Sequence, residues 1–188
     1  MKILIVYDSR IGAVEKMARL IARGVARVPN CDAVVRRAPH NDQELADSGD
    51  PFASIEDLKT CDGLILGSPT RFGNMSHRLK SFIDATSSLW VSGALVGKPA
   101  AAFTSSSSMH GGQESTLLSM HLPLLHHGMV IVGLPFTLDA VKKTTTGGSP
   151  YGATHVAGTS NNNPISEDEK SLCIALGERV AQIASRLA

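Results

Sequence analysis

Lys2-Ile-Leu-Ile-Val-Tyr7 is an almost unbroken apolar run, followed by the short polar stretch Asp8-Ser-Arg-Ile-Gly12. Beyond it Val14, Met17, Ala18, Ile21 and Val25 recur at the i, i+3, i+4, i+7 spacing. The run has the pattern of a strand buried on both faces, because it leaves no polar side for solvent. The spacing that follows is one stripe of an amphipathic helix. A buried strand that turns directly into a helix opens a βα unit, and the remainder of the chain repeats the unit.

Working outward, Cys31 to Arg37 reads as a weaker strand, and 38–53 is polar, holds two prolines and reads as loop. Ser54 and Asp57 frame one short helical turn before Gly63-Leu-Ile-Leu-Gly67, a third strand. Met75, Leu79, Phe82, Ile83 and Thr86 form the next helical stripe, and Ala100 to Thr104 a fourth strand rich in small residues. Gln113 to His127 reads as helix, with Gly128 placed just past its end. Met129 to Leu134 is the fifth strand. Ser166-x-x-Glu169 is a capping box opening a last helix, whose Leu172, Leu176, Val180, Ile183 and Leu187 are expected to face inward. Five strand–helix alternations predict an α/β fold, a doubly wound parallel five-stranded sheet. The flavodoxin-like strand order 2-1-3-4-5 suits that count, with ligand at the carboxyl ends of the strands. One domain is expected over 1–188. Residues 135–163, rich in Gly, Thr and Asn, form a connection too long to be idle and are expected to serve a site or an interface.

Composition narrows the function. The chain has 188 residues, 43% hydrophobic and 19% charged, with a formal net charge of +1. That balance argues against nucleic acid as the main partner and against an acidic carrier that docks by charge. No apolar run is long enough to span a bilayer. The first strand begins at Lys2, which leaves no room for a signal or transit peptide, and Cys31, Cys61 and Cys173 are scattered and odd in number. The expectation is a cytoplasmic protein without disulfides or a zinc site.

Chemistry is expected in the loops after the strands. Ser9-Arg10-Ile11-Gly12-Ala13-Val14 leads into a helix, so a hydroxyl and a run of backbone N–H groups meet where an anion binds best. It is neither a Walker loop nor G-x-G-x-x-G. Pro69-Thr70-Arg71-Phe72-Gly73 presents a polar and aromatic edge suited to a flat heteroaromatic ring. Ser105-Ser106-Ser107-Ser108-Met109-His110-Gly111 lets backbone approach a ligand closely, with hydroxyls for ribityl or phosphate oxygens. A hydrolase reading of Ser with His110 lacks G-x-S-x-G and an acid to orient the histidine. His126 and His127 are adjacent, hence on different faces of a helix, and make a poor metal pair. By itself, the lone Trp90 reads more readily as core than as site.

Together these stretches resemble the WrbA-type NAD(P)H:quinone oxidoreductases. The resemblance rests on Gly67-Ser-Pro-Thr-Arg-Phe-Gly-Asn-Met75, Leu89-Trp-Val-Ser-Gly-Ala-Leu-Val-Gly97, Gly111-Gly-Gln-Glu114, Leu125-His-His-Gly-Met-Val-Ile-Val132 and Gly147-Gly-Ser-Pro-Tyr-Gly-Ala-Thr154. It implies an FMN cofactor and two-electron, ping-pong reduction of quinones by NAD(P)H. Ser9 to Val14 would hold the FMN phosphate, Pro69 to Gly73 the ring edge, and Ser105 to Gly111 would flank ring and ribityl chain. His126 would contact FMN. Trp90 would face the flavin from a neighbouring subunit of a homotetramer in equilibrium with dimers, and would line the substrate space. Two departures stand out. Ile11 replaces an aromatic associated with the nicotinamide nucleotide, and the run of serines before Met109 replaces a more usual Ser-Thr-Gly-Thr. Val14 also lacks a hydroxyl, which leaves the phosphate to Ser9 and backbone amides. Two other classes compete: a flavodoxin-type electron carrier, which an acidic surface would mark, and a non-catalytic FMN-binding assembly protein.

Overall fold

The computed structural model describes residues 1–39 and 49–188. The expected loop at 38–53 therefore lies in part, over 40–48, outside the described residues. β1 (Lys2–Tyr7), β2 (Asp32–Arg37), β3 (Gly63–Pro69), β4 (Pro99–Ser106) and β5 (Val130–Ile131) form a parallel sheet in the order β2-β1-β3-β4-β5. The register runs Ile3↔Ala33 between β1 and β2, Ile3↔Gly63 between β1 and β3, and Leu64↔Ala100 between β3 and β4.

The double burial inferred for Lys2–Tyr7 follows from the pleat. Ile3, Ile5 and Tyr7 point to one face, where α1 (Ala13–Val25) and α7 (Glu167–Leu187) cover them. Leu4 and Val6 point to the other, under α2 (Ile55–Thr60), α3 (His77–Asp84), α4 (Ser87–Ser92) and α5 (Gln113–His126). The stripe Val14, Met17, Ala18, Ile21 and Val25 is wholly buried. α1 and α7 meet backbone to backbone, since a Cβ on Gly24 would collide with the Ile174 carbonyl and one on Gly177 with that of Ile21. Both capping boxes form, Ser54 with Asp57 and Ser166 with Glu169. Among the described residues no helix is long and apolar enough to cross a membrane.

Three expectations need correction. The fifth strand is only two residues long, not Met129 to Leu134. The connection 135–163 holds α6 (Asp139–Lys143) and a sixth strand, β6 (Ala153–Val156). β5 pairs with the start of β4 (Pro99↔Val130) and β6 with its end (Phe103↔Ala153 to Ser106↔Val156). The fifth strand position is thus filled in two pieces, with the intervening chain looped out. In α7, finally, Leu172, Leu176 and Val180 are buried, Ile183 only partly, and Leu187 is exposed because the helix outruns the sheet.

Candidate functional site

Because all strands are parallel, their carboxyl ends share one edge of the sheet, and the loops leaving that edge are forced together. One cleft there is lined by Ser9, Arg10, Ile11, Ala13 and Val14 after β1, Pro69, Thr70 and Arg71 after β3, and Ser105, Ser106 and Ser107 after β4. Three loops separated by scores of residues meet in one place. A fourth wall, Gly158, Thr159 and Asn161 after β6, lay in the 135–163 stretch but was not singled out from sequence. Recognising Ala153–Val156 as a strand would have pointed to it, since the segment after any strand of this sheet reaches the same edge.

The first loop is built for an anion. Gly12 caps α1 from the left-handed region (φ 87°), a conformation that a side chain disfavours, and it supplies no side-chain cap. Ser9 Oγ takes over, accepting from the N–H groups of Gly12 (3.1 Å) and Glu15 (3.4 Å). Among the described residues the N–H groups of Ile11, Ala13 and Val14 find no acceptor, and the Ser9 hydroxyl proton is uncommitted. Among the described residues, the only charged ones lining the cleft are Arg10 and Arg71. The buried Asp8, directly before the loop, is paired with Arg78 (3.5 Å). Exposed donors, positive charge and a helix N-terminus are what binding a phosphate requires.

The second loop is a tight hairpin. Arg71 and Asn74 exchange backbone hydrogen bonds (2.8 and 3.0 Å), with Phe72 (φ 51°) and Gly73 (φ 73°) between them, the backbone of a type I′ turn. Phe72 is thereby thrust fully into solvent at the tip, at a strained angle for a bulky residue. Thr70 sits inside the cleft. Its N–H donates to the Ser105 carbonyl (2.9 Å). Its hydroxyl donates to Thr104 Oγ1 (3.2 Å), whose own proton goes to the Ser68 carbonyl (2.7 Å).

In the third loop the Ser106 hydroxyl is fully used, donating to the Ser108 carbonyl (2.7 Å) and accepting from Gln113 Nε2 (2.7 Å). It shapes the wall rather than reaching for a ligand. Gln113 also accepts from Thr154 Oγ1, which ties this wall to β6. Behind β6, His155 Nδ1 lies 2.9 Å from Glu169, whose carboxylate also accepts from the N–H groups of Val156, Gly147 and Ser166. Burial pushes the Glu169 carboxyl up, but these donors, His155 foremost, outweigh it and hold it at about 2.

Of the other expected site residues, Gly12 closes the first turn. Phe72, Gly73, Ser108, Met109, His110 and Gly111 are not part of the lining, and Phe72 and Met109 stand exposed. His126 and Trp90 line a different cleft, together with Ile83, Asp84, Thr86, Ser87, Leu122, Pro123 and His127. The two clefts share no residue, because α5 starts at the carboxyl edge of the sheet and carries His126 toward the opposite one. Trp90 is 56% exposed and so is no core residue. His127 Nε2 donates to Thr86 Oγ1 (2.9 Å), since the Thr86 proton is committed to the Ile83 carbonyl.

The family model described as NADPH-dependent FMN reductase matches residues 1–142. The chain is 44% identical to an NAD(P)H dehydrogenase (quinone) of Geobacter sulfurreducens, over all of this chain and 99% of the relative. It is 45% identical to one of Syntrophobacter fumaroxidans, over all of this chain and 98% of that one. Among solved structures, the flavodoxin, WrbA-like protein from Agrobacterium tumefaciens aligns with a TM-score of 0.72 at 22% identity, covering 100% of this chain and 99% of that one. Oxidised Flavodoxin 2 from Bacillus cereus aligns at 0.61 with 19% identity, covering 99% of each. At those identities the two structures speak for the fold alone.

Proposed function

The chain belongs to the NADPH-dependent FMN reductase family, and from that premise we propose that it acts as its full-length relatives are named, as an NAD(P)H dehydrogenase (quinone). It is an FMN-binding oxidoreductase. The observation that carries the placement of the cofactor is the meeting of the 9–14, 69–71 and 105–107 loops in one cleft. The unpaired N–H groups of Ile11, Ala13 and Val14, the Ser9 hydroxyl and Arg10 fit a phosphate. The Thr70 edge, held rigid by Ser105 and Thr104, fits a flat ring bearing polar atoms on its rim. Bound FMN supplies what no side chain here can, the acceptance and release of a hydride equivalent.

The protein's own contribution is to position that ring and leave one side of it open. Ile11, Phe72 and Met109 stand exposed around the loops that form the cleft, an apolar fringe on which a nicotinamide or a quinone can rest. Both partners need that same side, so they occupy it in succession. Turnover is then ping-pong: NAD(P)⁺ leaves before quinone enters. Initial rates at several fixed quinone concentrations should give parallel double-reciprocal lines, and NADH or NADPH alone should bleach the flavin absorbance of the holoprotein. Intersecting lines, or a flavin that neither nucleotide bleaches, would count against this reading.

One chain does not complete the site. His126 and Trp90 are the expected contacts that one chain keeps apart from its cleft, and a second copy is the simplest way to deliver them. The reading is a homotetramer exchanging with dimers, in which Trp90 closes the substrate space of a neighbour. The buried, unbridged thiols of Cys31, Cys61 and Cys173 suit a cytoplasmic setting.

A further inference from the structure

We propose that the turn from Gly158 to Asn161 is a phosphate clamp, and that through it the protein selects a flavin carrying a terminal phosphate monoester over riboflavin and over a dinucleotide. The inference rests on FMN occupying the cleft of the three strand-end loops.

The turn is rigid where it leaves the sheet. Ala157 N–H donates to the Ser106 carbonyl (2.8 Å), and Asn163 returns to the strand through its N–H on the Ala157 carbonyl (3.0 Å). The Asn163 side-chain amide adds a bond to the Val156 carbonyl (3.1 Å). Within the turn Asn161 N–H donates to the Gly158 carbonyl (3.0 Å), with Asn161 in the left-handed region at φ 53°. Further back, Glu169 accepts from Val156 N–H (3.0 Å), so the turn is anchored to the first turn of α7.

Its free groups are donors. Among the described residues Thr159 Oγ1, the Asn161 side-chain amide and the N–H groups of Thr159 and Ser160 bond no protein atom. Thr159 and Asn161 nonetheless line the same cleft as Ser9 to Val14. Neutral hydroxyl and amide donors with no apolar surface suit phosphate oxygens and offer nothing to the face of a ring. The side chain at an αL position is normally Gly, Asn or Asp, and Asn here adds an N–H₂ that a glycine would lack. Because Ser9 to Val14 and this turn line one cleft, a phosphate seated there takes donors from both. In a dinucleotide the phosphate on the ribityl chain is half of a pyrophosphate, so it has one charge fewer than a monoester and must send a second substituent out past these donors. The clamp therefore disfavours FAD as well as riboflavin.

The test is titration of the flavin-free full-length chain with FMN, riboflavin and FAD, read by quenching of flavin fluorescence. Thr159→Val removes a hydroxyl without changing shape, and Asn161→Asp keeps the left-handed backbone while placing a carboxylate before the phosphate. FMN affinity should fall roughly tenfold for Thr159→Val, the scale of one lost hydrogen bond to a charged group, and further for Asn161→Asp. Riboflavin affinity should stay within twofold in both, which also reports that the ring site is intact. Asn161→Gly, the third variant, should narrow the preference for FMN over FAD. If FMN and riboflavin weaken together, or if the FMN-to-riboflavin ratio is unchanged in both variants, the turn is not a phosphate clamp.

Discussion

Ile11 sits at the mouth of the cleft with 66% of its surface exposed, and its neighbours Arg10 and Gly12 belong to the turn proposed to hold the phosphate. Its backbone N–H serves that turn, so the side chain is free to be judged separately. The resemblance to the WrbA-type oxidoreductases implies an aromatic at this place, and an aromatic face adds about 0.5–1.5 kcal/mol of stacking beyond simple burial. Converted to affinity, that is roughly two- to tenfold. Ile11→Tyr should therefore lower KM for NADH or NADPH by that factor and leave FMN affinity unchanged, since the backbone donors are the same. Steady-state kinetics beside flavin titration separates the two effects. A Tyr variant with unaltered KM would make Ile11 a mere loop residue. Ser9 shows the same division of labour at a single side chain: its lone pairs shape the loop and its proton stays free to donate.

At the scale of elements, apolar patterning reads well wherever burial is the whole story. β1 and the stripe of α1 are apolar because nothing polar survives between a sheet and its covering helices, and both were legible in the sequence. β6 was not, because Thr154 and His155 are polar yet buried, and hydropathy alone marks such residues as loop. They are kept inside by partners from distant positions, Gln113 for Thr154 and Glu169 for His155, which no local window contains. The wall after β6 escaped notice for the same reason. Ser166-x-x-Glu169 was read as a helix cap, and it is one, yet the Glu169 carboxylate also holds Gly147, Val156 and His155. Its folded value of about 2 lies below the ordinary 4.5, so ionisation favours the folded state. That stability is complete above about pH 4.5 and drains away as pH falls toward 2. Glu169→Gln keeps the shape but sets an amide against donors, and should cost about 3 kcal/mol at pH 7. Melting curves from pH 7 to 3 should show the variant with a lower Tm and a flatter acid limb. An unchanged Tm at pH 7 would mean that the carboxylate is not holding β6.

For the whole molecule the unresolved demand is on its surface. α5 buries one side against the sheet yet exposes Leu118, Leu122 and Leu125 on the other, and α4 adds Trp90 and Val91. Leu122 and Trp90 line one groove with His126, so the apolar face and the two expected site residues that lie outside the cleft are the same region. A monomer leaves that face wet, whereas a symmetric assembly covers it with itself. Twofold pairing through α5 alone gives a dimer. A second set of twofolds is needed if each Trp90 is to reach a neighbour's cleft at the opposite edge of the sheet, and D2 closure supplies it without an open end. With a chain of 19.8 kDa, the closed particle is near 79 kDa and its dimer near 40 kDa. FMN touched by more than one chain binds the assembled form preferentially, so it should draw dimers into tetramers by mass action. Sedimentation of the flavin-free and FMN-loaded protein at micromolar concentration should show that shift. Leu122→Glu, which puts a charge in the centre of the apolar face, should hold the protein in smaller species and lower quinone reduction with them. A holoprotein that remains monomeric at that concentration with full quinone reductase activity would show that one chain completes its own site, and that His126 and Trp90 have no part in it.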